Sequence, residues 1–267
     1  MRLMLGALLA WSAYWPAEAQ APATPQPVAS ETACSAAGAE QRVLSGIVDG
    51  GTLRLEGGDL ILLAGIDVPR GLAGEGKGAA GAAVAFLEDL TRGATSLQIV
   101  AAGRDRYGRL LAQVFDVDGR LLQAEMVAAG LARVRPYPHG VPCVAQLLEL
   151  EREARRAGKG LWRTEFAVIS ANDPSLIGRK GLYVIVEGFV LSVGQGNHVD
   201  FLNFGRFWQR DFTVLVGAPI ATRFAETGLD TAALAERRVR VRGVIEESGG
   251  PAIRLNDFRE LEILDDD

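Results

Sequence analysis

The sequence predicts a mainly β chain with helices: an N-terminal OB-type five-stranded barrel carrying three helices, followed by a second β-rich, OB-like domain. Three observations predict it. Short apolar runs separated by Gly-rich turns recur from Arg42 to Val117, and helical patterns interrupt and close that region. The same order of elements then returns, without sequence repetition, after the turn-rich break Ala171-Asn172-Asp173-Pro174. The chain has 267 residues, 48% of them hydrophobic and 23% charged, about twice one ordinary domain and enough to bury a core in each. The expected boundaries are a signal peptide over 1–19, a Pro/Ala-rich tether over 20–36, the first domain over 37–168 and the second over 178–267.

Taken in order, Arg2 precedes an apolar run from Leu3 to Trp15, and Ala17-Glu18-Ala19 ends it in a small-x-small pattern. That is the layout of a cleaved secretory signal, shorter than a membrane span, so a periplasmic or secreted location is expected. Pro22, Pro25 and Pro27 lie among small residues that cannot pack. Strands are expected at Val43–Val48, around Leu53 and Leu55, and at Leu60–Ile66. Ala83, Phe86, Leu87 and Leu90 at three- and four-residue spacing predict a helix ended by Gly93. Strands follow at Ser96–Ala101 and Leu110–Val117, then helices at Leu121–Ala129 and Val144–Ala157. The last of these places Leu147, Leu148 and Ala154 on one face, with Glu151 and Arg155 paired on its solvent side.

In the second region, Leu182–Leu191, His198–Leu202 and Phe212–Val216 read as strands. A helical stretch from Ile220 to Ala235 carries a break near Gly228. Arg238, Arg240 and Arg242, next to Arg237, alternate with Val239 and Val241 and share one strand face, either a basic surface for single strands or a solvated face. Ala252–Leu255 and Leu261–Leu264 close the chain.

Charge and cysteine content narrow the function classes. With 28 basic and 33 acidic side chains the chain is net −5, which gives no bulk attraction to polyanions, so binding them requires a local basic patch. Residues 20–170 carry 16 basic and 17 acidic side chains and residues 171–267 carry 11 and 15, so the acidity lies mostly in the second region. Two cysteines and two histidines exclude zinc ribbons and His-rich clusters. Neither His139 nor His198 has a partner at ligand spacing. In an oxidising compartment Cys34 and Cys143 are expected to form a disulfide.

Five motifs stand in order. They are Asp49-Gly50-Gly51-Thr52, Gly65-Ile66-Asp67-Val68-Pro69, Asp105-Arg106-Tyr107-Gly108-Arg109, Gly130-Leu131-Ala132-Arg133-Val134 and Gly160-Leu161-Trp162. Together they strongly resemble the staphylococcal nuclease (thermonuclease) family over about residues 43–162. The resemblance implies an OB barrel with three helices and a calcium-dependent phosphodiesterase site for DNA and RNA at one rim.

Residue by residue, the implied site is incomplete. Gly51 stands where the resemblance places one calcium carboxylate, and Asp67 retains the other. Arg70 follows Pro69 where a general-base Glu is implied, and Leu62 replaces one of two phosphate-binding arginines, while Arg109 retains the second. Calcium takes six to eight oxygen ligands, and a missing carboxylate together with an added Arg70 charge opposes binding. Asp49, Glu56 and Asp59 are candidate substitute ligands, but arginine cannot act as a general base. The expectation is a thermonuclease-like fold without efficient nuclease chemistry, no cofactor, and a role in binding nucleic acid or a protein of the cell envelope. Ca2+ enters only under the alternative, an active secreted phosphodiesterase with a rearranged metal site.

Arg70, Arg106 and Arg109 with Tyr107 could instead form a basic, aromatic patch for a single strand or another anion. The competing reading makes Arg109 and Asp105 a structural pair holding the loop. In the second region Phe201, Phe204, Phe207, Trp208 and Phe212 are interleaved with Arg206 and Arg210, either as a strand surface for single strands or as core residues beside solvated charges.

Overall fold

The computed structural model describes residues 34–69, 77–136, 143–163, 167–207 and 209–264. The expected signal segment, the expected tether up to residue 33, Arg70, His139 and Trp208 lie outside the described residues. Strands β1 (Glu40–Asp49), β2 (Thr52–Leu55), β3 (Leu60–Leu63), β5 (Ser96–Arg104) and β6 (Leu110–Phe115) form a closed barrel in the order β1-β2-β3-β6-β5. The β3–β6 pair is parallel and the others are antiparallel. β1 closes the barrel by pairing with β5 through Glu40–Val43 and with β2 through Leu44–Asp49, and two register shifts bend it on the way.

The apolar run expected as one strand from Leu60 to Ile66 is divided. Gly65, at φ +84°, turns the chain after β3, and the two residues of β4 (Ile66–Asp67) pair with β7 (Arg133–Val134) in a separate ladder. Helices α1 (Lys77–Leu90), α2 (Leu122–Ala128) and α3 (Val144–Arg156) pack around the barrel. Their apolar faces supply Ala83, Leu87, Met126 and Leu147 to a core shared with Leu53, Ile61, Leu97 and Val114. Gly130 and Gly160 explain two of the sequence motifs. Their backbones meet so closely that a Cβ on either would lie 2.3–2.4 Å from the other segment's carbonyl oxygen, and the Leu161 N–H donates to Gly130 O. Gly50 is constrained too, since a Cβ there would fall 2.7 Å from Ala83 Cβ.

The second region repeats this circuit. It contains β8 (Ile169–Ser170), β9 (Tyr183–Phe189), β10 (Ser192–Gly194), β11 (Val199–Asn203), β12 (Thr213–Gly217), helix α4 (Ala218–Glu226), β13 (Arg238–Ser248), β14 (Gly250–Arg254) and β15 (Leu261–Leu264). The path runs β10-β11-β12-β14-β13-β9-β8, with β15 on β13, and β12–β14 is parallel. β9 and β10 are consecutive parts of one segment that changes partner. The Val190 N–H donates to Arg237 O beside β13, and the Leu191 N–H donates to Asn203 O on β11. The continuous β9–β10 segment therefore bridges β13 and β11, and the order β9/β10-β11-β12-β14-β13 matches that of the first barrel. The helical break falls at Gly228, φ +82°, between α4 and a 3-10 turn at Thr231–Leu234. The segment after β8 is an ordered turn, in which Asp173 caps a 3-10 turn over Pro174–Arg179.

Two sequence expectations are corrected where the barrels meet. Glu151 is not on a solvent face of α3 but 0% exposed, and Arg242 is likewise 0% exposed rather than part of a solvated strand face. The Arg242 guanidinium contacts Glu151 at 2.7 Å, pairs with Glu262 and donates to Val134 O at 3.0 Å. Arg240 binds Glu187, and Arg155 lies within 4 Å of both Glu151 and Glu262. The basic side of β13 thus faces acidic groups on α3, β9 and β15. Burial pulls Arg242 toward its neutral form, but the two carboxylates outweigh it and hold the guanidinium above its ordinary pKa. Ala154, Trp162 and Ile185 add a small apolar contact beside this network, and all of it lies within one compact unit.

Cys34 and Cys143 are joined by a disulfide across 109 residues of sequence, tying the start of the first barrel to the start of α3. Replacing both by serine is expected to lower stability by about 2–5 kcal/mol, measured by urea titration, since a long closed loop is released in the unfolded chain. Unchanged stability would contradict this. Among the described residues, no helix is long and apolar enough to cross a membrane.

Candidate anion-binding cleft

The rim of the first barrel holds a cleft of about 400 Å³, lined by Leu62, Ile66, Arg106, Tyr107, Arg109 and Arg135 among others. Its outer wall is the turn joining β5 to β6. Asp105 organises that turn: its Oδ1 accepts the N–H groups of Tyr107 (2.9 Å) and Arg109 (3.0 Å), and its Oδ2 accepts the Arg109 side chain at 2.7 Å. Burial pushes the Asp105 carboxyl up, yet these hydrogen bonds hold it below the usual carboxylate range. Arg109 therefore holds the loop as well as facing the cleft, the structural-pair reading of this motif. Tyr107 projects from the turn, 69% exposed, with the guanidinium carbons of Arg106 and Arg109 at 4.9 and 5.5 Å from its ring centre.

The opposite wall carries Arg135, which has no place in the sequence motifs. Its N–H extends the β4–β7 ladder by donating to Gly65 O, and its guanidinium lies 5.0 Å from the ring centre of Tyr183. The second barrel contributes Tyr183, whose hydroxyl donates to Val134 O at 2.9 Å. A buried valine flanked by Arg133 and Arg135 was the sequence signal available for this wall, since alternation in a strand sends both arginines to the face opposite Val134.

The positions tied to calcium are arranged for other work. Asp67 Oδ2 accepts Arg133 Nη2 at 2.5 Å and Nε at 3.2 Å, and the same Nη2 reaches Tyr183 O at 3.0 Å. Gly51 donates its N–H to Asp49 Oδ1, and Leu62 offers the cleft only hydrocarbon. Of the candidate substitute ligands, Asp59 is paired with Arg42 at 2.8 Å. Among the described residues, no three acidic, histidine or cysteine side chains converge on one point. A carboxylate engaged by arginine, a glycine and a leucine do not fit the oxygen-rich set that calcium requires. Arg106, Tyr107 and Arg109 are brought together at this rim, and Asp67 lies behind it on the β4–β7 ladder.

A closed five-stranded barrel with three helices and a basic rim cleft defines an OB-type domain of the nuclease-like kind. Residues 60–164 match the family model of staphylococcal nuclease homologues, so this chain carries a staphylococcal nuclease-like domain. The match includes Leu62, Asp67, Arg70 and Arg109 and begins after the Asp49–Thr52 turn. No curated protein matches the chain.

Proposed function

We propose that this is an exported binding protein whose first barrel keeps a nuclease-like fold without calcium-dependent phosphodiesterase activity, and whose rim cleft holds a segment of single-stranded nucleic acid. The engagement of Asp67 by Arg133 is the observation that carries the loss of activity, because it occupies the one retained metal carboxylate. Binding is supported by three arginines and an exposed tyrosine around one cleft. Arginine can grip a phosphate through two N–H groups, and a tyrosine face can stack on any base. Export is supported by the N-terminal apolar run and its small-x-small end, and a disulfide is in keeping with an oxidising compartment.

Fluorescence anisotropy with a labelled ten-nucleotide DNA strand tests the reading. Binding should weaken as salt rises, and Arg106→Ala should weaken it by up to about tenfold and reduce the log–log salt slope by about one. Arg106 suits this test better than Arg109, which also holds the turn. Absence of salt-sensitive binding, or indifference to both Arg106→Ala and Tyr107→Ala, would overturn the assignment.

A further inference from the structure

The second barrel carries a larger cleft, about 750 Å³, on the outer face of β10, β11 and β12. Strand alternation builds it. Val214 and Val216 point into the core, while Thr213 and Leu215 face the other way and form the floor, Leu215 being only 2% exposed there. In register beside Leu215 stands Phe201, and beside Thr213 stands Asn203. Ser192 and Gly194 of β10 continue the surface across Asn203 and Phe201. Ser248, at the β13–β14 turn, closes one end and Arg206 another.

Four features of this cleft specify its occupant. Phe201 is 40% exposed on a sheet that could have buried it. Ser192, Asn203, Thr213 and Ser248 supply donors and acceptors around that ring, and Asn203 Nδ2 donates to Ser192 Oγ at 3.3 Å. The charged lining is one cation, Arg206, with no carboxylate in the wall and no acidic partner for it among the described residues. Next to it Phe207 is exposed with the Arg210 guanidinium 4.2 Å from its ring centre. The acids nearest the cleft have partners: Asp211, packed against Gly205 of the lining, accepts the Phe207 N–H and lies 3.4 Å from the Arg210 side chain, and Asp200 accepts the Thr231 hydroxyl. Glu187 and Glu262 are held in the inter-barrel network, Glu246 by Arg254, Glu247 by Lys180 and Asp257 by Arg259. A flat aromatic face, polar groups at its edge and a cation beyond them match a base, its hydrogen-bonding edge and its phosphate. An uncharged sugar would leave Arg206 without a counterpart.

We propose that this cleft is a second ligand site, separate from the rim cleft, that binds a short single-stranded oligonucleotide with one base stacked on Phe201 and a phosphate at Arg206. The face is the one that OB barrels present through their second and third strands and the turn between the fourth and fifth, here β11, β12 and the Ser248 turn.

The test uses the full mature chain carrying Arg106→Ala and Tyr107→Ala, which disables the rim cleft, with the same labelled strand as probe. Binding should persist in this background. Adding Phe201→Ala should then weaken it roughly 5- to 150-fold, while Phe201→Trp retains it. Arg206→Ala should lower the salt slope by about one. A strand lacking a base at each position should bind no better to the parent than to Phe201→Ala. Loss of all binding in the rim-disabled background would overturn the second site and leave the rim assignment standing. Binding that depends on Phe201 but not on Arg106 or Tyr107 would do the reverse. Indifference to Phe201→Ala and Arg206→Ala with the fold intact by circular dichroism, or Phe201-dependent capture of a neutral oligosaccharide in place of the strand, would overturn the proposal.

Discussion

Replacing Arg242 by alanine is expected to destabilise the protein by about 3–5 kcal/mol, the usual cost of removing one partner from a buried ion pair. The guanidinium has no solvent exposure, and neither has the Glu151 side chain 2.7 Å away. Deleting Arg242 leaves the Glu151 carboxylate, in a site closed to water, with only the Val134 N–H and the Arg155 guanidinium 3.9 Å away, and also removes a donor from Val134 O. Only Glu262, 14% exposed, has some access to solvent to compensate. Arg242→Met should cost nearly as much despite keeping the volume, because the loss of the closest countercharge to Glu151 and Glu262, and not the cavity, dominates. Pairing Arg242→Met with Glu151→Gln should recover a large part of the loss, giving a coupling energy of about 1–3 kcal/mol in a double-mutant cycle followed by urea denaturation. A cost below about 1 kcal/mol for Arg242→Ala would mean that the network does not hold the barrels together. Because β7 lies between this network and the rim, with Val134 O accepting from both Arg242 and Tyr183, the same substitution should weaken oligonucleotide binding at the rim through misplacement of Arg135.

The second large effect concerns chemistry. The triple change Gly51→Asp, Leu62→Arg and Arg70→Glu is expected to raise calcium-dependent digestion of single-stranded DNA at least about 10³-fold above the unmodified protein. A positioned general base contributes roughly 10²- to 10⁴-fold and a group stabilising transition-state charge roughly 10²- to 10³-fold, and these need not multiply in full. The first substitution has room, since a Cβ at Gly51 meets nothing closer than Val68 Cγ2 at 3.6 Å. Arg133 remains an obstacle because it holds Asp67 from one side. Adding Arg133→Gln to the triple variant should therefore lower the calcium concentration needed for half-maximal rate. A triple variant with no calcium-dependent gain, although folded, would show that the missing side chains are not what limits the site.

What is legible in the sequence depends on the range of the interactions. The strands of the first barrel were legible in the alternation around Leu53 and Leu55, and the helices in the spacing of Ala83, Leu87 and Leu147, because burial of one face leaves a local period. The break at Gly228 was legible for the same reason. Leu60–Ile66 reads as one strand because a single glycine in an apolar run does not announce that Gly65 adopts a positive φ and sends β4 to another partner. Glu151 and Arg155, four apart on α3, have the pattern of a solvated pair, and Arg238, Arg240 and Arg242 have the pattern of a wet strand face. Their ion-pair partners lie up to 107 positions away, as Glu262 does from Arg155, and no local pattern encodes the meeting of two barrels. At the site, the replaced side chains at Gly51 and Leu62 were visible by comparison with the family motif. Arg135 and the hold of Arg133 on Asp67 were not, since both depend on the β4–β7 ladder and on Tyr183 arriving from the second barrel.

The central claim is that the nuclease-like fold has been kept without its metal chemistry. It is tested most directly by incubating the unmodified mature protein with single-stranded DNA across a calcium titration, with and without chelator, beside the triple variant. The expected result is digestion at background, unaffected by calcium or chelator, while the strand remains bound. Calcium-dependent cleavage by the unmodified protein within tenfold of the triple variant's rate, abolished by chelator, would contradict it.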